Sequence, residues 1–118
     1  MRLNFVHKEL AGGGWQKLSF AEQMANIGSE VLRAIKWRKA GDTEESKNAG
    51  YRALELLYLT IDDPKNHGNR LGEVTRLNEC VVDDFFGDNI YKSSDLLWNH
   101  YFMAWTYAAQ ITRGRIGV

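Results

Sequence analysis

The 118-residue chain has one cysteine, one proline and no excess of either charge, with 15 basic side chains against 15 acidic ones. A lone cysteine closes no internal disulfide, so the fold must rest on its own core. At this length one domain buries roughly two-thirds of its unfolded surface and needs no covalent staple. Balanced charge removes the whole-molecule attraction of bulk nucleic-acid binders, so any phosphate binding has to be local. No run of about 18 apolar residues is present, which excludes a membrane-spanning helix of ordinary length. The chain opens without a charged leader, apolar stretch and small-residue cleavage site; with the single cysteine, this sets the expectation of a cytoplasmic protein.

Scarcity of proline, with Pro64 alone, and glycines placed where helical periodicity breaks favour an all-α fold over short, evenly spaced strands. Breaks at Ala40-Gly41-Asp42, at 62–68 and at 87–93 divide the chain into four helical segments. Short connections make successive helices antiparallel neighbours. The expected architecture is an up-down-up-down four-helix bundle over 19–118 behind an N-terminal arm over 1–18. Within the arm, Leu3, Phe5 and Val6 are expected to pack across the bundle, and Gly12-Gly13-Gly14 forms a flexible break before Trp15.

Ser19 and Glu22 have the spacing of a capping box and start the first helix, which stops at Gly41. Phe20, Met24, Ile27, Val31, Ala34 and Ile35 share its apolar face, and Glu22, Asn26, Ser29, Glu30, Arg33 and Lys36 its polar one. Asp42, Glu44 and Glu45 sit at the positive end of a second helix, whose stripe reads Tyr51, Leu54, Leu57, Tyr58 and Ile61, leaving Leu56 and Leu59 off it. A third helix, from about Asn69 to Phe86, buries Leu71, Val74, Leu77, Val81, Val82 and Phe85, with Asn78 inside the apolar face seeking a partner across the bundle. The fourth, from about Ser94 to Arg113 with Gly114 as end signal, has a polar strip limited to Asn99, Thr106, Gln110 and Arg113, with Met103 among them. Its apolar residues span roughly 240°, whereas a core-facing helix needs about 100°.

That surplus is the strongest functional signal, because large exposed apolar patches mark partner surfaces. The candidate homo-oligomer interface is Trp98, Phe102 and Trp105 of the fourth helix with Leu56 and Leu59 of the second. The competing reading covers the fourth helix with the N-terminal arm. A second candidate is the basic stretch Arg33, Lys36, Trp37, Arg38 and Lys39, which can hold phosphate while the indole stacks on a base; the plainer reading is a cationic helix end complementing the macrodipole. Glu79 and Asp83 share a face and suit magnesium, yet the second helix offers only Glu55 to complete such a site. His100 is expected half-buried with one satisfied nitrogen, and Cys80 in a packing role. No catalytic residue, cofactor or metal ligand is assigned.

The stretch from Leu18 to Val31, with Ala53-Leu54-Glu55-Leu56-Leu57 and Asp83-Asp84-Phe85-Phe86-Gly87-Asp88-Asn89, resembles a family of small all-helical prokaryotic conserved hypothetical proteins of unknown function. This resemblance implies a helical fold and carries no activity. In helix number and length the chain is also similar to HEPN-class bundles, many of which bind or cut RNA or serve nucleotidyltransferases. Their ribonuclease motif is Arg, four to six residues, then His; Asp95-Leu96-Leu97-Trp98-Asn99 precede His100, with no Arg at a permitted offset. Arg2 and His7 match the spacing but lie in the arm. The resemblance therefore implies a non-cleaving member. The expectation is a non-enzymatic, self-associating helical module, the alternative being a HEPN-like nucleic-acid or nucleotide-binding module without cleavage activity.

Overall fold

A computed structural model of the protein describes residues 10–112. Arg2, Leu3, Phe5, Val6, His7, Arg113 and Gly114 lie outside the described residues. The remainder forms a four-helix bundle, α1 (Phe20–Lys39), α2 (Thr43–Asp62), α3 (Leu71–Phe86) and α4 (Asp95–Thr112), with no strand among the described residues.

Local chemistry sets each boundary. The capping box is formed: Ser19 Oγ accepts from the Glu22 amide at 3.1 Å and Glu22 Oε1 accepts from the Ser19 amide at 3.0 Å. At the other end of α1, Gly41 adopts φ 82°, the Asp42 amide donates to Trp37 O and the Gly41 amide to Arg38 O. This is a Schellman turn, and a left-handed residue there favours glycine. Asp42 then caps α2 by accepting from the Glu45 amide at 3.0 Å. Beyond α2 a single turn over Pro64–Asn66 follows. Ser94 starts α4, its Oγ accepting from the Leu97 amide and its carbonyl from the Trp98 amide.

Side-chain reach gives the helix directions. Gln23, near the start of α1, bonds Asp63 just past the end of α2, so these two run antiparallel. Arg38, near the end of α1, reaches Asp84 near the end of α3 and Asp95 at the start of α4. Hence α1 and α3 run together and α4 runs against both. Close backbone packing joins α1 to α2 and to α4, and α2 to α3; α3 and α4 meet mainly through side chains.

The apolar stripe of α1 is buried as its periodicity predicts, with Gln23, Gly28 and Glu30 added. Glu30 is a correction, since it belongs to the expected polar face. It is closed in because Arg33 and Arg52, the latter from α2, donate to its two oxygens at 2.6 and 2.9 Å. The face of α2 is also corrected. Ser46, Ala49, Gly50, Ala53, Leu56, Leu57, Leu59 and Thr60 are buried, while Tyr51 and Tyr58 are exposed. Small residues at 46, 49, 50 and 53 let the neighbouring helices approach, and Ser46 Oγ donates to Ala34 O of α1 at 2.8 Å. On α3 Val74, Leu77, Val81 and Phe85 are buried as expected, whereas Leu71 is half-buried and Val82 exposed.

The segment before α1 belongs partly to the core. Gly13, at φ 118°, breaks a turn over Leu10–Gly14, and the next turn, Trp15–Lys17, places Trp15 inside the bundle end. At the centre of the α1–α4 contact, a Cβ on Gly28 would lie 2.6 Å from Phe102 Cδ1 and 2.9 Å from Phe102 Cβ. Gly28→Ala is therefore expected to lower stability by about 1–3 kcal/mol through overpacking, against a helix-propensity gain of at most about 1 kcal/mol. Gly72→Ala, at a helical position with open space around it, is expected to be neutral or stabilising; urea denaturation of both variants checks the contrast.

Candidate functional site

Among the described residues α4 is the only long helix nearly devoid of charge: between Asp95 and Thr112 it carries no other Asp, Glu, Lys or Arg. One flank is closed by the chain itself. Trp98 and Phe102, at 5% and 1% exposure, stack with ring centroids 5.8 Å apart, and Trp105 meets Phe20 edge-on at 5.2 Å. Trp98 Nε1 donates to Asp84 Oδ2 at 2.7 Å. The interface expected at Trp98, Phe102, Trp105, Leu56 and Leu59 is thus corrected. Trp98, Phe102, Leu56 and Leu59 are core residues, and Trp105 is partly buried against them. They are shielded by α1 and the other helices, which use the largest aromatic side chains as filling.

The apolar excess lies on the opposite side of α4. Leu96 and Met103 are 65% exposed, Leu97 58% and Tyr107 53%. At 100° per residue, Met103, Leu96, Tyr107 and His100 occupy one continuous arc, bordered by Asn99 and Thr106 on the α1 side. Leu32 of α1 meets Met103, Thr106 and Tyr107 in a shallow groove along that border. His100 is exposed in this arc; the expected half-buried placement is corrected, since no neighbouring helix covers it.

The basic stretch is largely compensated. Arg33 pairs with Glu30. Arg38 donates to Asp84 at 3.0 and 3.4 Å and to Asp95 at 3.0 Å, and its guanidinium lies 4.4 Å from the Phe85 ring centroid. Burial alone would lower the Arg38 pKa, but the hydrogen bonds and charges of Asp84 and Asp95 outweigh it and raise it. Lys39 sits 3.7 Å from Asp95. Lys36 is exposed and Trp37 half-buried. These residues share one helix end, yet most of their positive charge faces carboxylates within the bundle.

Glu79 and Asp83 are not brought to a common ligand point. Asp83 holds the α3–α4 connection, accepting from the Ile90 amide at 2.8 Å and the Tyr91 amide at 3.0 Å. Asn78 is half-buried. No group of three or more His, Cys, Asp or Glu side chains able to hold a metal occurs among the described residues.

The buried amides are Gln23 and Asn66, in a polar cluster that seals the end of the bundle. Trp15 Nε1 donates to Thr60 Oγ1 at 2.9 Å; Gln23 Nε2 donates to Trp15 O at 3.0 Å and Asp63 Oδ2 at 2.8 Å. Asn66 Nδ2 donates to Gln23 Oε1 and Thr60 O, both at 2.9 Å. Lys65 bonds Asp63 through both its ammonium and its amide. The spacing Phe20, Gln23, Met24, Ile27 marks Gln23 as core-facing, a signal available in the sequence. Two of its partners, Asp63 and Asn66, come from 40 or more residues away and are not.

Comparison of the chain with protein-family models, curated proteins and solved structures finds no match in any of the three. No helix among the described residues is long and apolar enough to cross a membrane.

Asp63 is 2% exposed. Burial pushes its carboxyl up, but the hydrogen bonds from Lys65 and Gln23, with the lysine charge, outweigh this and hold it below the ordinary carboxylate range. With the folded value depressed, its contribution is fully present above the unfolded pKa of about 3.9 and is lost as pH falls through the folded value. Asp63→Asn is expected to cost about 1–3 kcal/mol at neutral pH. The difference from wild type should shrink when urea unfolding is repeated below pH 3.

Proposed function

We propose that the protein is a non-enzymatic, self-associating helical module in which the uncovered faces of α4 from two copies pack together. The observation carrying this reading is the arc of Leu96, Met103 and Tyr107, more than half exposed in a single chain on a helix with almost no charge. In a two-fold assembly the same patch must complement itself, so any lysine or glutamate near the axis would meet its own like charge. This arc contains none.

Size agrees with that role. Leu96, Leu97, Met103 and Tyr107 leave on the order of 500 Å² of apolar side chain in water per copy, at the upper end of the largest patch of a typical monomer. Two copies bring about 1,000 Å² together before rim residues are counted, which reaches the threshold for a specific contact. Methionine in such a patch adapts to the partner surface without a fixed shape.

Light scattering coupled to size-exclusion chromatography tests the reading. Wild-type protein should run as a dimer at micromolar concentration. The double variant Met103→Glu, Tyr107→Glu should run as a monomer with unchanged far-ultraviolet circular dichroism, because both side chains point away from the core. A strictly monomeric wild type would remove the proposal.

A further inference from the structure

On the other side of α4, toward α3, a cleft of about 430 Å³ opens where the two helices meet through side chains rather than backbone. Its volume lies in the range of small-molecule sites. Buried Leu77 and Trp98 form its apolar floor, Tyr91 and Tyr101 are aromatic walls, and Cys80 lines it half-buried.

Two exposed charges of opposite sign stand at the edge of this apolar cleft, Glu73 and Arg76, one turn apart on α3 and not paired with each other. Among the described residues Arg76 forms no ion pair. Its guanidinium is instead held 4.3 Å from the Tyr91 ring centroid. One oxygen of Glu73 accepts from Tyr101 Oη at 2.7 Å, which leaves the other oxygen for a donor. Burial, reinforced by Glu73, pushes the Tyr101 phenol up, so it stays a protonated donor that fixes the carboxylate.

The wall bearing Tyr91 is rigidly held. Asp83 accepts from the Ile90 and Tyr91 amides, and Asn89 and Ser93 exchange two hydrogen bonds of 2.9 Å. Asn89 and Lys92 both take left-handed backbone conformations, at φ 53° and 55°; for lysine this is uncommon and mildly costly. A connection held this firmly keeps Arg76 and Tyr91 in fixed relation to the cleft.

From this geometry we infer that the cleft binds a small aromatic α-amino acid, its ring on Leu77 and Trp98 between the tyrosines, its carboxylate on Arg76 and its ammonium on Glu73. A purely anionic ligand would face Glu73, and a purely cationic one Arg76. The zwitterion alone matches both. The inference does not rest on self-association: Leu97 alone of the proposed contact residues also lines the cleft, while Met103 and Tyr107 lie on the other side of α4.

The test uses the full chain and three probes: L-phenylalanine, 3-phenylpropionate, which lacks the ammonium, and phenethylamine, which lacks the carboxylate. Cys80 is the only cysteine, so its rate of alkylation by iodoacetamide reports occupancy; the amide shift of Tyr91 gives the same reading if the thiol proves inert. L-Phenylalanine is expected to protect at about tenfold lower concentration than either analogue, as one charge-assisted hydrogen bond implies. Arg76→Gln should erase its advantage over phenethylamine, and Glu73→Gln its advantage over 3-phenylpropionate. Circular dichroism verifies that both surface variants fold. Equal protection by the three probes, no protection or shift by any of them, or an unchanged ranking in the two variants would overturn the inference.

Discussion

A helix that is apolar over most of its circumference cannot hide all of it against one close helical neighbour, and this constraint governs the molecule. α4 is about 27 Å long at 1.5 Å per residue, and its tight backbone contact is with α1. That contact is set by a missing side chain: Gly28 admits the ring of Phe102, so the two helices approach until Trp98, Phe102 and Ala109 are enclosed. Rotating α4 to bury Leu96 and Met103 instead would expose two tryptophans and a phenylalanine, a worse exchange of apolar area. The helix therefore settles with its aromatic flank inside and its leucine and methionine flank in water.

Polar chemistry closes the two ends of the bundle. At one end Arg38 gathers Asp84 and Asp95 while lying against Phe85, tying three helices through one planar cation. At the other, Gln23 and Asn66 join Trp15, Thr60 and Asp63 into a buried network whose failure would strand several polar groups at once. These devices absorb much of the charge that a linear reading leaves free. Between the ends remain the outer arc of α4 and the cleft beside α3, the two surfaces on which the proposals rest.

Element boundaries and the bundle itself were legible because they depend on neighbours in sequence. Ser19 with Glu22, Gly41 and Asp42 act within one turn of where they stand. Which flank each helix buries was less accessible. On α2 the large residues Tyr51 and Tyr58 suggest a stripe, yet the buried line runs through Ala49, Gly50 and Ala53, since close approach rewards small side chains. On α4 the amount of surplus apolar surface followed from the sequence, but its position depended on Gly28 of α1, a residue whose meaning appears only when Phe102 is placed against it. The basic stretch looked free because Asp84 and Asp95 lie 46 and 57 residues away from Arg38. The cleft was invisible for the same reason, Arg76 and Tyr91 being joined only by the folded connection.

Met103 lies at the middle of α4, where a two-fold pairing of this helix, parallel or antiparallel, sets a residue opposite its own counterpart. Oxidative cross-linking of Met103→Cys in a Cys80→Ser background therefore examines the completion of α4 by a second copy most directly, with Lys47→Cys on the exposed surface of α2 as reference. Rapid, near-complete formation of a disulfide-linked dimer through position 103 in dilute solution, with little through position 47, is the predicted result. Equal slow cross-linking at the two positions would contradict it.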